Sequence, residues 1–114
     1  MSDCLFCKII SGEISTNIRY ENYDVIIFDD IQPQAPLHCL VIPKQHIVSL
    51  NDLTEANQGL IGNMYWAVKI FAKQQGISED GYRTVINCGE QGGQTVDHIH
   101  LHILSGRMMQ WPPG

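Results

Sequence analysis

Three histidines alternate with apolar residues near the C-terminal end, His98-Ile99-His100-Leu101-His102, and the run continues into Ile103-Leu104. Side chains of an extended strand alternate between two faces. His98, His100 and His102 therefore share one face, and Ile99, Leu101 and Ile103 turn to the core. Three readings compete for the histidine face. It can simply meet solvent, although such faces are usually built from Thr, Lys, Glu and Ser. It can chelate one metal ion, because alternate strand histidines converge. Or it can supply a nucleophile: an imidazole with a pKa of about 6.5 is largely unprotonated at pH 7. Such a ring attacks phosphorus without a separate base, and the resulting phosphoramide is labile enough to hydrolyse. The loop just upstream, Gly89-Glu90-Gln91-Gly92-Gly93-Gln94-Thr95, favours this third reading. A flexible glycine-rich backbone can wrap a phosphate with its N–H groups. A surface turn has the same composition; what favours the phosphate reading is position, with Gly92-Gly93-Gln94-Thr95 standing three to six residues before the triplet.

A second constellation is Cys4-Leu5-Phe6-Cys7. Its C-x₂-C spacing is common in zinc sites and nonspecific by itself, since a closed site needs two more ligands. A metal-free N-terminal turn with two reduced cysteines stays open as a reading. Cys39 and Cys88 read as packing residues in strands.

The elements that must position these groups follow from periodicity. Residues 4–11 form a short apolar segment ending at Gly12, a short helix or turn. Residues 18–22 and 24–29 are rich in Ile, Val, Tyr and Phe and read as a strand hairpin broken at Asn22. Gln32-Pro33-Gln34-Ala35-Pro36 is a loop fixed by two prolines, and residues 38–42 form a third strand closed by Pro43. From Thr54 to Gln75, Leu60, Met64, Ala67 and Phe71 recur at helical spacing, as do Ile61, Tyr65, Val68 and Ala72. Thr54 serves as N-cap and Gly76 as the stop. Gly59 and Gly62 inside this helix cost about 1 kcal/mol each against Ala. Either another backbone approaches there, or they are tolerated surface positions. Residues 82–87 and 98–104 form the fourth and fifth strands. No repeat, linker or low-complexity run interrupts residues 1–114, which read as one α+β domain: an antiparallel sheet carrying a helix on one face.

Composition narrows the classes further. The 114 residues are 44% apolar and 17% charged, with net charge −5. Seven Lys plus Arg, spread along the chain, supply no basic surface for nucleic acid. The acidic balance disfavours anionic membranes. No apolar run is long enough to span a bilayer, and Met1-Ser2-Asp3-Cys4 lacks the layout of a signal peptide. These features place the chain in the cytoplasm, where cysteines are expected as thiols or metal ligands.

His-φ-His-φ-His-φ-φ preceded by Gly-Gly-Gln-Thr resembles the signature of the histidine-triad superfamily. The similarity extends to Phe28-Asp29-Asp30-Ile31, Pro33-Gln34-Ala35-Pro36, residues 38–44 and the ending Trp111-Pro112-Pro113-Gly114. These resemble the branch of histidine-triad nucleotide-binding proteins, which are purine nucleoside phosphoramidases and aminoacyl-adenylate hydrolases. The resemblance implies a five-stranded antiparallel sheet with one long helix and a short N-terminal helix. It implies that His100 is the nucleophile and forms a nucleotidyl-histidine, oriented by the backbone carbonyl of His98. It assigns His102 and His38 to phosphate oxygens and the leaving group. Thr95 stands where the family commonly has Ser, with a hydroxyl for the leaving amine.

In the same way, the resemblance gives Asn87 and the backbone from Gly93 to Val96 to the phosphate. It gives Asp30 to the ribose hydroxyls, and Phe6, Ile9, Phe28 and Ile31 to an apolar purine slot. It also implies a homodimer with the long helices packed together and each Trp111 tail reaching the partner's site. Some relatives hold structural zinc with residues at the positions of Cys4, Cys7, His46 and His98. A closed Cys₂His₂ set of this kind is structural, so no cofactor is required for the chemistry. Two positions depart from the pattern: Asp97 replaces an aromatic residue and Ser105 a glycine. The expected function is hydrolysis of purine nucleoside 5′-phosphoramidates or acyl-nucleotides. A non-enzymatic nucleotide-binding or adaptor protein is the alternative, and a metal-dependent enzyme with the triad as ligands is a third.

Overall fold

A computed structural model describes residues 3–114. Met1 and Ser2, part of the N-terminal stretch read above, lie outside the described residues. The elements are α1 (Leu5–Ile10), β1 (Ile18–Glu21), β2 (Val25–Asp29), β3 (Leu37–Pro43), α2 (Gln58–Gln75), β4 (Arg83–Ile86) and β5 (Leu101–Ser105). The strands form one sheet in the order β1-β2-β3-β5-β4, and every neighbouring pair is antiparallel. Among the described residues no helix is long and apolar enough to cross a membrane.

The sheet is covered on both faces, which explains why β2 reads as a continuous apolar run. Val25, Ile27, Cys39, Val41, Leu101 and Ile103 point to α2 and meet Met64, Ala67, Val68 and Phe71. Ile26, Phe28, Leu40 and Ile42 point the other way and pack with Phe6 and Ile9 of α1. The register sets Phe28 opposite Leu40, and Leu40 opposite His102. The histidine face of β5 is therefore the α1 face of the sheet, an enclosed one.

The long helix is shorter than its periodicity suggested. Thr54 caps a 3₁₀ turn, Glu55–Asn57, and the side chain of Asn57 accepts the Thr54 N–H at 2.7 Å. Regular α-geometry starts only at Gln58. Gly76 ends the helix with φ +74, a left-handed value that glycine adopts without strain. Tyr65, expected on the apolar face, is exposed. Gly59 and Gly62 are exposed too, with open space where a Cβ would stand. They are surface positions, and no backbone among the described residues approaches them.

The fifth strand also begins later than expected, at Leu101 rather than His98. The ladder with β3 stops at Val41–Leu101. Two residues further Pro43 would face Ile99, and proline has no N–H to donate. Ile99 turns away and donates its N–H to Ile47 O at 2.7 Å. His98 and His100 thus precede the paired strand, yet both stay on the His102 side.

Candidate active site

Each histidine of the triplet has one ring nitrogen committed, and the commitments fix the protons. His100 is buried, and its Nδ1 lies 2.8 Å from the carbonyl oxygen of His98. A carbonyl only accepts, so Nδ1 carries the hydrogen, and in the neutral ring Nε2 keeps the lone pair. Phe6 packs edge-on against the His100 ring at 5.2 Å between centroids and restrains its rotation.

The same logic runs through His38 and His102. The backbone N–H of Gln34 donates to His38 Nδ1 at 3.0 Å, so that nitrogen is unprotonated and Nε2 carries the hydrogen. His38 Nε2 lies 2.9 Å from His102 Nδ1 and donates to it. His102 is therefore protonated on Nε2 and presents a donor. This contact is a diagonal cross-strand pair: Leu40, two residues along β3 from His38, is the direct partner of His102. The Asp30 carboxylate is 3.5 Å from His38 Nε2, beyond a good hydrogen bond. Both rings are neutral. Burial pushes His38 below the ordinary histidine range against the pull of Asp30. Burial, then the neighbouring His100 and His38, pushes His102 down to about 4.

These groups border a cavity of about 510 Å³ lined by both apolar and polar residues. Phe6, Ile9, Phe28, Ile31, Leu40 and Val96 are among the apolar ones, and Asp30, Thr95, His38, His100 and His102 among the polar. Phe6, Ile9 and Phe28 are at once slot and core, whereas Ile31 is 90% exposed and forms only the rim. A wider depression of about 700 Å³, between Ile77–Arg83 and Ser105–Met109, contains no histidine.

Two expected phosphate ligands do not reach the cavity. Asn87 spends its amide on Gly92 O at 2.6 Å, and the Gly93 N–H bonds to Glu90 O at 3.0 Å. Both hold the glycine loop in shape. Gln94 does so more extensively: its Oε1 accepts the Gly89 N–H, and its Nε2 donates to Val48 O and Val96 O. Only the end of the loop, Thr95 and Val96, borders the cavity. Asp97 is exposed and lies outside it, beside Cys4 and His46. Ser105 is buried and donates to Gly81 O at 2.9 Å, which ties the end of β5 to the turn before β4. Trp111 is 82% exposed.

Leu5, Ile14, Ser15 and Thr16 also line the cavity, and the Gln34 backbone bonds His38 at its edge, none of them singled out by the sequence. Their residue types carry no chemical signal; only the fold brings them there.

The remaining face of His98 belongs to a second cluster. Its Nε2 donates to Pro43 O at 2.9 Å, leaving Nδ1 as a lone pair. Burial holds this ring below the ordinary histidine range, in the neutral form that a metal requires. Nδ1 stands 3.4 Å from Cys4 Sγ, 3.6 Å from Cys7 Sγ and 3.1 Å from His46 Nδ1, and Cys7 Sγ is 3.3 Å from His46 Nδ1. Around a tetrahedral zinc with Zn–N near 2.0–2.1 Å and Zn–S near 2.3 Å, neighbouring donors sit roughly 3.3–3.7 Å apart. All four donors lie within 4.8 Å of one another. Donor type, number and spacing fit zinc, and the His98–Pro43 hydrogen bond is the kind of support that orients a metal-bound imidazole. Asp30, His38 and His102 also cluster within 4.8 Å. That trio suits a metal poorly, because His38 Nε2 holds a hydrogen where a lone pair is needed.

Comparison with known proteins agrees with this geometry. The family model described as "Scavenger mRNA decapping enzyme C-term binding" matches residues 3–111. An uncharacterized HIT-like protein of Synechococcus elongatus is 52% identical over 112 residues, covering 98% of this chain and 97% of the relative. The chain belongs to the histidine-triad family. A 14 kDa zinc-binding protein of Zea mays is 47% identical, over 99% of this chain and 89% of its own. The crystal structure of a HIT family hydrolase from Legionella pneumophila superposes with a TM-score of 0.95 at 49% identity, covering 98% of this chain and 100% of that one. A histidine triad nucleotide-binding protein from Candida albicans gives a TM-score of 0.82 at 33% identity, over 96% and 83% of the two chains. The five-stranded antiparallel sheet with one long and one short helix is thus the histidine-triad fold.

Proposed function

We propose that this histidine-triad protein hydrolyses purine nucleoside 5′-phosphoramidates or acyl-nucleotides through a nucleotidyl-histidine. The observation that carries this reading is the 2.8 Å hydrogen bond from His100 Nδ1 to the His98 carbonyl in a buried ring, which in the neutral imidazole leaves the lone pair on Nε2. The hydrolase and nucleotide-binding names of the Legionella and Candida neighbours support it.

The base enters the slot of Phe6, Ile9 and Phe28, with Ile31 at the rim. Asp30 accepts the ribose hydroxyls; its Oδ1 already takes the Gln32 N–H at 2.8 Å, which steadies the carboxylate. The α-phosphate rests against the Thr95–Val96 end of the glycine loop. His100 Nε2 donates its lone pair to phosphorus, and the P–N or P–O bond to the leaving group breaks. The departing amine leaves from its N-protonated form and so goes as a neutral amine, while His102 Nε2–H, with the Thr95 hydroxyl beside it, donates a hydrogen bond to the phosphoryl oxygens and keeps its hydrogen. In the second step water attacks phosphorus, the bond to His100 breaks, and the water's proton passes to solvent. The nucleoside monophosphate leaves with both rings neutral. Positioned donors of this kind contribute about 10²–10³-fold.

Zinc at Cys4, Cys7, His46 and His98 supplies structure only, because four protein donors leave no open position for water. The name of the Zea mays relative and the donor spacing support it. His98 would then serve twice, with its ring on the metal and its carbonyl on the nucleophile. A homodimer with Trp111 at the partner's cavity fits that residue's exposure here.

Steady-state release of adenosine monophosphate from adenosine 5′-phosphoramidate, beside calorimetric binding of the monophosphate, tests the reading. His100→Ala is expected to lose turnover and keep binding. Wild type that binds the nucleotide and turns nothing over would transfer the case to a nucleotide-binding adaptor.

A further inference from the structure

The hydrogen that His102 presents to the cavity is set outside the histidine cluster. It depends on a single main-chain donor, the Gln34 N–H on His38 Nδ1 at 3.0 Å. Without that donor, His38 is equally able to carry its hydrogen on Nδ1. Its Nε2 would then be an acceptor, and His102 would turn its own hydrogen toward it from Nδ1. The cavity would meet a lone pair on His102 Nε2 in place of an N–H.

Gln34 sits in an exposed loop between Pro33 and Pro36, away from the sheet ladder. Two contacts from the turn after β5 hold that loop. Arg107 Nε and Nη2 both donate to Gln34 O, at 3.2 and 2.9 Å, and its Nη1 reaches Met108 O at 3.4 Å. Gly106, at φ +98, lies so close to the loop that a Cβ there would fall 2.6 Å from Pro36 Cβ. The turn is continuous with β5, the strand that carries His102. Arg107 thus ties the loop that sets the tautomer to the strand that uses it.

We propose that Arg107 is a positioning residue whose guanidinium fork on the Gln34 carbonyl holds His38, and through it His102, in the Nε2–H tautomer. Lysine carries the same charge but cannot form the two-pronged contact, so the fork matters beyond the charge. The kinetic consequence rests on the phosphoramidase reading. The tautomer itself is a property of the protein without substrate.

The test is long-range ¹H–¹⁵N correlation of the histidine rings in wild type, Arg107→Ala and Arg107→Lys, with kcat and KM for adenosine 5′-phosphoramidate measured in parallel. Arg107 is exposed, so both variants are expected to fold. Wild type should show His38 and His102 protonated on Nε2. Arg107→Ala should show mixed tautomers at both rings and a kcat about tenfold lower with KM nearly unchanged. Arg107→Lys should fall between. A single Nε2–H tautomer with wild-type kcat in Arg107→Ala would overturn the proposal. If wild type hydrolyses no phosphoramidate, the hydrolase reading fails, and the ring spectra alone still decide for or against the clamp.

Discussion

Acidification should destabilise this protein through His102, by an amount that the structure fixes. Burial, with His100 and His38 close by, pushes this ring down to about 4, while Asp30 opposes the shift. In the unfolded chain it returns to about 6.5. Above pH 6.5 neither state binds the proton, and the contribution of the neutral ring is intact. As pH falls below 6.5 the unfolded chain takes up a proton that the folded chain refuses, so unfolding is favoured; the loss is complete near pH 4. At pH 5 the two values correspond to about 2 kcal/mol. The ring is partly open to solvent, and screening lowers this to about 1–2 kcal/mol. His102→Asn removes the titration and keeps an acceptor for the His38 Nε2–H. Urea unfolding of both proteins at pH 7 and pH 5 isolates the effect. Protons linked to His38, His98 or bound metal are common to both and largely cancel. Wild type should lose about 1–2 kcal/mol more than the variant over this interval. Equal losses would refute the claim that His102 is held neutral in the fold.

Zinc content, measured by mass spectrometry on purified protein, should approach one ion per chain and fall in Cys7→Ser. The same variant, or a strong chelator, should lower the melting temperature before it changes kcat if the metal has the structural role proposed. Asp30→Asn should weaken binding of adenosine monophosphate about 10–100-fold, the value of losing hydrogen bonds to a charged group. It should weaken 2′-deoxyadenosine monophosphate less, and titration calorimetry on the two nucleotides checks the difference.

Much of the site could be read from the chain because strand geometry converts spacing into direction. Alternation was enough to put His98, His100 and His102 on one face and Ile99, Leu101 and Ile103 on the other. The division of labour within the triplet was less visible. His98 ends in the cysteine cluster because the ladder breaks at Pro43, and periodicity carries no information about a missing N–H on the partner strand. The resemblance assigned Asn87 and the Gly93 N–H to the phosphate, and in the structure both bond within the glycine loop. Thr54 announced a helix start and caps a 3₁₀ turn instead, since Asn57 three residues on folds back to its N–H. Gln34 acts through its main chain, which no residue type reveals.

The central claim is covalent catalysis by His100. Rapid-quench intact-mass analysis after mixing the protein with adenosine 5′-phosphoramidate tests it most directly. Wild type should show a transient gain of one adenylyl group, decaying as adenosine monophosphate appears, and His100→Ala should show neither. Product formation by wild type without an adduct at any quench time, or an adduct that persists in folded His100→Ala, would contradict the account.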